Sequence, residues 1–130
     1  MKKKVKHISL KSLHKKAWKL QSEWIRRSEN GICFTCGIHK DWKEQNAGHY
    51  IHGDCMDFEE INIHCQCVHC NKYLHGNAGP YAERLIAEYG EQAIADLRQR
   101  AVIGKRGKKY TIEELETLIN RYTALLKELK

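Results

Sequence analysis

The chain has 130 residues, 42% of them hydrophobic and only one a proline, which is one domain's worth of sequence. No run approaches the ~20 uninterrupted apolar residues of a membrane span, and the lysine-rich start leads into a Ser/Lys segment, not an apolar signal core. Lys and Arg outnumber Asp and Glu by 23 to 16, and the resulting charge of +7 favours a polyanionic partner, nucleic acid first.

The first predicted element is a helix over about Ser9 to Ser28. Leu10, Leu13, Ala17, Leu20 and Trp24 recur at helical steps and mark an apolar face. Lys11, Lys15, Lys19 and Arg26 fall on the opposite side as a cationic stripe. That stripe suits either a solvated surface or contacts along a phosphate backbone. Asn30-Gly31 supplies a left-handed stop.

Residues 31–79 form the second region, dense in Gly, Asn and His, where short strands and tight knuckle turns are expected. All six cysteines lie here, between Cys33 and Cys70. In a reducing cytoplasm clustered cysteines are metal ligands more often than disulfides. Cys33-Phe-Thr-Cys36-Gly37 and Cys67-Val-His-Cys70 are paired knuckles whose two-residue gaps let both thiolates reach one ion. Together they close a tetrahedral structural zinc site. Cys55 and Cys65 are left over and read as small buried residues. Trp18, Trp24 and Trp42 read as core residues.

Pro80 opens a third region of helices, 80–130, at a favoured first-turn position. Gly90 stops the first helix, and Ile94, Leu97 and Ala101 mark the second. Gly104 to Lys109 is a basic linker. Thr111 with Glu114 forms a capping box for the last helix. Its seam of Ile112, Leu115, Ile119, Tyr122, Leu126 and Leu129 suits either the first helix or a second chain in a homodimer. The expected fold is α+β and mainly helical, in a single domain over 1–130.

One pattern overlaps the knuckles. Gly48-His49-Tyr50 is followed by Asn62 thirteen residues after His49, and Cys67 comes five residues after Asn62. This resembles the HNH, or ββα-metal, nucleases, whose finger is set in a zinc-bound treble clef. Ala47-Gly48-His49-Tyr50, Asn62-Ile63-His64, Cys67-Val-His-Cys70-Asn71, Leu74-His-Gly-Asn77 and Tyr81-Ala-Glu-Arg84-Leu85-Ile86 narrow the resemblance to the phage NinG family, which includes the Rap recombination nucleases. The match runs over about residues 31–100. The resemblance implies a structure-specific endonuclease on branched DNA such as Holliday junctions, working in phage recombination in the bacterial cytoplasm.

Phosphodiester hydrolysis needs an activated water, neutralised charge at phosphorus and help for the departing oxygen. His49 suits the first task, because a neutral imidazole at pH 7 accepts a proton. A bound Mg²⁺ or Mn²⁺ suits the other two. By its place in the motif Asn71 is the ligand of that ion. His75 lies one helical turn later, at i+4, so both side chains can share a face. Asn62 matches the residue that holds the loop of the general base. Many HNH enzymes carry an acidic ligand where this chain has Gly48. That leaves the second ligand open, with His75 first and Asp54 or Asp57 next. The alternatives are a non-catalytic zinc-stapled nucleic-acid-binding module and an HNH nickase on ordinary duplex DNA.

Overall fold

The computed structural model describes residues 9–129. The architecture is mainly helical around one small two-stranded sheet. Its elements are α1 (Leu10–Ser28), β1 (Asn46–His49), β2 (Ile63–Gln66), α2 (Ala78–Tyr89), α3 (Glu91–Gly104) and α4 (Ile112–Glu128), with a π-helical turn over His69–Tyr73. No helix among the described residues is long and apolar enough to cross a membrane.

Ser9 starts α1 by accepting the Ser12 N–H at 3.1 Å, an N-cap that satisfies one orphan donor. Asn30 and Gly31 end it with φ of 55° and 66°. A Cβ on Gly31 would collide with the Lys40 carbonyl, so this turn tolerates no side chain.

The buried row of α1 is Leu13, Ala17, Gln21 and Ile25, turned slightly from the apolar face that the sequence suggests. Gln21 is admitted to the interior because its carboxamide is satisfied. It donates to the Asp57 carbonyl at 2.6 Å and accepts the Tyr122 hydroxyl at 3.0 Å.

The seam of α4 packs on α1. Leu115 and Ile119 share a cluster with Leu13 and Ala17, Tyr122 meets Gln21 and Trp24, and Arg27 donates to the Leu129 carbonyl. Numbers rise together along both helices, so the pair runs in the same direction. The seam is therefore used inside the chain. Leu115, Ile119 and Tyr122 are covered by α1 and are not available to a second copy, whereas Ile112 is exposed. The capping box of α4 is complete, with Thr111 and Glu114 exchanging two bonds of 3.1 Å.

Strands β1 and β2 are antiparallel, with Asn46 opposite Gln66 and His49 opposite Ile63. Helix α1 covers this hairpin through Ile25, which clusters with Ile63 and Cys65. On the other side Tyr81 of α2 is fully buried, and its hydroxyl donates to the Gly48 carbonyl at 2.7 Å. The end of β1 is thus held from two directions.

Candidate active site and metal centre

The two knuckles converge as their spacing predicts. The thiol sulfurs of Cys33, Cys36, Cys67 and Cys70 lie within 4.8 Å of one another. Two sulfurs bound to one tetrahedral zinc at ~2.3 Å are about 3.8 Å apart. Cys36 and Cys67 are 3.7 Å apart, which fits.

The chemistry of the donors fits as well. Burial raises the Cys33 thiol, but the Thr35 hydroxyl and knuckle N–H groups outweigh it and bring it down to about 6. Cys36 is pushed up to about 12, first by desolvation and then by the sulfurs around it. Sulfurs this close resist ionising together unless a cation shares the site. These four cysteines can hold a structural zinc. Cys55 and Cys65 are buried outside that cluster.

His49 ends β1, and the loop after it is tied down by Asn62. The Asn62 side chain is fully buried. It accepts the Ile51 N–H at 2.8 Å and donates to the carbonyls of Ile51 (2.9 Å) and Met56 (3.0 Å). Its own carbonyl accepts the Tyr50 N–H at 2.9 Å. One side chain thus fixes both ends of the turn that carries Asp57 back toward His49.

Asp57 receives two histidines. His49 Nε2 lies 2.7 Å from Oδ1, and His14 Nε2, from α1, lies 2.7 Å from Oδ2. A carboxylate only accepts, so each ring donates through Nε2 and keeps Nδ1 as its second nitrogen. Burial pushes the Asp57 carboxyl up, but the bonds from His49 and His14 outweigh it and hold it below the usual carboxylate range. Trp18 stacks on His49 with centroids 4.9 Å apart and planes 11° apart, which fixes the ring's orientation.

These groups line a cleft of about 720 Å³. Helix α1 contributes Leu10, Lys11, His14, Lys15 and Trp18; the loop after β1 adds Asp54 and Asp57 beside His49; the linker before α4 adds Lys108, Lys109 and Tyr110. Two lysines on each wall face a histidine–carboxylate pair. That combination can seat a phosphodiester and take a proton from an attacking water.

The other residues singled out from the sequence lie elsewhere. Lys19 is exposed on α1 beyond the cleft. Arg26 is turned inward. Its guanidinium donates to the carbonyls of Ser22 (3.1 Å) and Trp42 (3.4 Å) and covers the Trp42 ring at 5.1 Å, so it braces the 41–45 turn and does not extend the lysine stripe. Asn71 and His75 share no helical face. The π-turn ends at Tyr73, and His75 has φ of 50° in a left-handed turn. The His75–Gly76 turn passes behind the end of β1, since a Cβ on Gly76 would lie 3.7 Å from the His49 carbonyl oxygen. Neither Asn71 nor His75 lines the cleft.

Gly48 has a packing reason. A Cβ there would collide with the Gln66 carboxamide across the hairpin. A side chain at this position would have to displace the Gln66 carboxamide.

A family model described as Bacteriophage Lambda NinG protein matches residues 1–130. The chain belongs to the NinG family. Its relatives include the protein ninG of Escherichia phage lambda, 29% identical over 133 residues, an alignment covering 91% of this chain and 63% of the relative. The protein ninG of Salmonella phage P22 is similar to the same extent, and that of Escherichia phage 933W is 29% identical with 64% of its length covered. The chain thus spans under two thirds of the length of the curated NinG proteins it matches. No solved structure matches it.

Within this NinG chain, several residues of the cleft are not marked by the sequence. His14 and Trp18 belong to α1, where helical periodicity marks only a face, and both are half-buried at its edge. Trp18 packs half-buried against the core and is also a wall of the cleft. Lys108 and Lys109 reach the cleft through the packing of α4 on α1, which no local pattern encodes.

Proposed function

We propose that this chain is a DNA endonuclease of the ββα-metal kind, with residues 31–79 as its zinc-stapled treble clef, acting on branched recombination intermediates. The observation that carries the reading is His49, bonded to Asp57 inside a lysine-walled cleft. The NinG resemblance supplies the substrate class. Charge and cleft chemistry support a nucleic acid phosphate but do not choose its topology.

In this reading the lysines of α1 and of the 108–109 linker hold the phosphate. His49, donating from Nε2 to Asp57, presents an unprotonated Nδ1 that takes a proton from the attacking water. Asp57 fixes that tautomer and stabilises the imidazolium as it forms. Asn62 keeps the His49–Asp57 distance constant by locking the loop between them. Stacking on Trp18 prevents the ring from turning away.

Mg²⁺ or Mn²⁺ enters this reading from the resemblance. Such an ion would supply charge neutralisation and leaving-group stabilisation. Among the described residues only the four cysteines bring three or more His, Cys, Asp or Glu ligand atoms all within 4.8 Å of one another. Asn71 and His75 lie off the cleft, and both Asp57 oxygens are taken by histidines. Among the described residues no site for that ion is assembled.

The test is incubation of the purified protein with a labelled four-way junction and a matched duplex, in Mg²⁺, Mn²⁺ or EDTA, with zinc content checked in each. Cleavage of the junction in preference to duplex supports the reading. Equal cleavage of both favours a duplex nickase. Tight junction binding without any cleavage favours a non-catalytic binding module.

A further inference from the structure

His14 is not explained by the role given to His49. It reaches Asp57 from another element, forty-three residues away in sequence, at the same 2.7 Å as His49. His14 lines the same cleft as the base. Its ring is held edge-on by Phe58 (5.0 Å) and Tyr110 (5.9 Å), so its position is fixed by packing as well as by Asp57. Among the described residues Asp57 is the only hydrogen-bond partner of either imidazole.

Two imidazoles on one carboxylate form an unequal pair. The single negative charge of Asp57 stabilises one imidazolium, and a second would face both the first and the lysine walls. His49 is the member assigned above as the base, which leaves the acid role to His14. Such a pair puts two imidazoles on opposite oxygens of one carboxylate, both lining the lysine-walled cleft.

We propose that His14 is the general acid of the reaction proposed above, on which this assignment rests. The water oxygen bonds to phosphorus as its proton passes to His49 Nδ1. The bond from phosphorus to the 3′-oxygen breaks, and its electron pair stays on that oxygen. The His14 imidazolium delivers a proton to that oxygen, giving a 3′-hydroxyl and a 5′-phosphate. Both histidines then return to their starting states by proton exchange with water.

A leaving group that needs no proton isolates this role. The substrate is a four-way junction carrying a bridging 3′-sulfur in place of oxygen at the mapped cut position, compared with the ordinary junction in the same Mn²⁺ buffer. Wild type, His14→Gln and His49→Ala are measured on both. His14→Gln is expected to lose roughly 10²- to 10⁴-fold on the oxygen substrate and to recover to within about tenfold of wild type on the sulfur substrate. His49→Ala is expected to remain equally impaired on both. The comparison is a ratio within each variant, so partial unfolding of His14→Gln cancels. If His14→Gln is equally slow on both substrates while wild type cuts both, His14 only positions Asp57 and the assignment is overturned. If wild type cuts neither, the hydrolase reading fails and takes this assignment with it.

Discussion

His49 and Asp57 meet at 2.7 Å although they sit at opposite ends of a loop, and the residue that closes that loop is Asn62. Removing the Asn62 carboxamide leaves the Met56 carbonyl without its partner in a buried place and the Ile51 N–H and carbonyl without theirs in a part-buried one. A fully buried unpaired group costs about 1–3 kcal/mol, and one that water can reach costs less. Asn62→Ala is expected to lower stability in urea by a few kcal/mol at most and to deprotect the 50–57 amides in hydrogen exchange. Zinc content should stay at the wild-type level, because Asn62 touches no knuckle. Unchanged protection of that loop would show that Asn62 does not hold it.

The Asp57 carboxyl lies below its usual range because His49 and His14 outweigh its burial. A group depressed in the folded state contributes stability above its unfolded value and loses it as pH falls through the folded one. Wild type should therefore lose melting temperature on the acid side of the usual carboxylate range. Asp57→Asn is expected to melt lower at neutral pH and to show a shallower acid decline. Parallel pH profiles for the two proteins would mean that Asp57 is not coupled to the histidines in solution.

The zinc assignment separates the six cysteines into two sets. Cys36→Ser is expected to lose stoichiometric zinc and to unfold the 31–79 region, since metal binding and folding are linked in such modules. Cys65→Ala should keep its zinc, because Cys65 is buried with Ile25 and Ile63 instead. Elemental analysis of the native protein and both variants checks this. Zinc loss in Cys65→Ala alone would move the site.

The lysine walls have a salt signature. Replacing Lys11 and Lys108 by Gln should flatten the plot of log affinity against log salt by roughly two units on DNA, about one for each phosphate left without its lysine. Arg26→Gln should leave that slope unchanged and lower the melting temperature, because its guanidinium braces Trp42 and Ser22. The reverse result would restore Arg26 to the DNA surface.

Much of the fold and site is legible in local sequence, and the reasons differ by residue. The four zinc ligands and the start and stop of α1 and α4 are set within a few residues, by knuckle spacing, the Ser9 and Thr111 caps and the Asn30-Gly31 turn. His49 and Asn62 are identified by their register in a motif. From sequence Asp57 reads only as a spare metal ligand, because nothing in the chain shows that two histidines will claim its two oxygens. His14 and the 108–109 lysines enter through the packing of α1 and α4, a contact between segments about a hundred residues apart. The helical face expected of Asn71 and His75 fails because the turn after Cys70 opens to π geometry and then reverses at His75 and Gly76.

The central claim is that His49 is the base of a phosphodiester hydrolysis, and single-turnover cleavage of a four-way junction tests it most directly. Wild type and His49→Ala are compared at protein concentrations that saturate the junction, with zinc content and melting temperature measured on the same samples. Equal junction binding and full zinc are expected in both proteins, with cleavage slowed by roughly 10²- to 10⁴-fold in His49→Ala. Cleavage at the wild-type rate by a folded, zinc-loaded His49→Ala protein would contradict that claim.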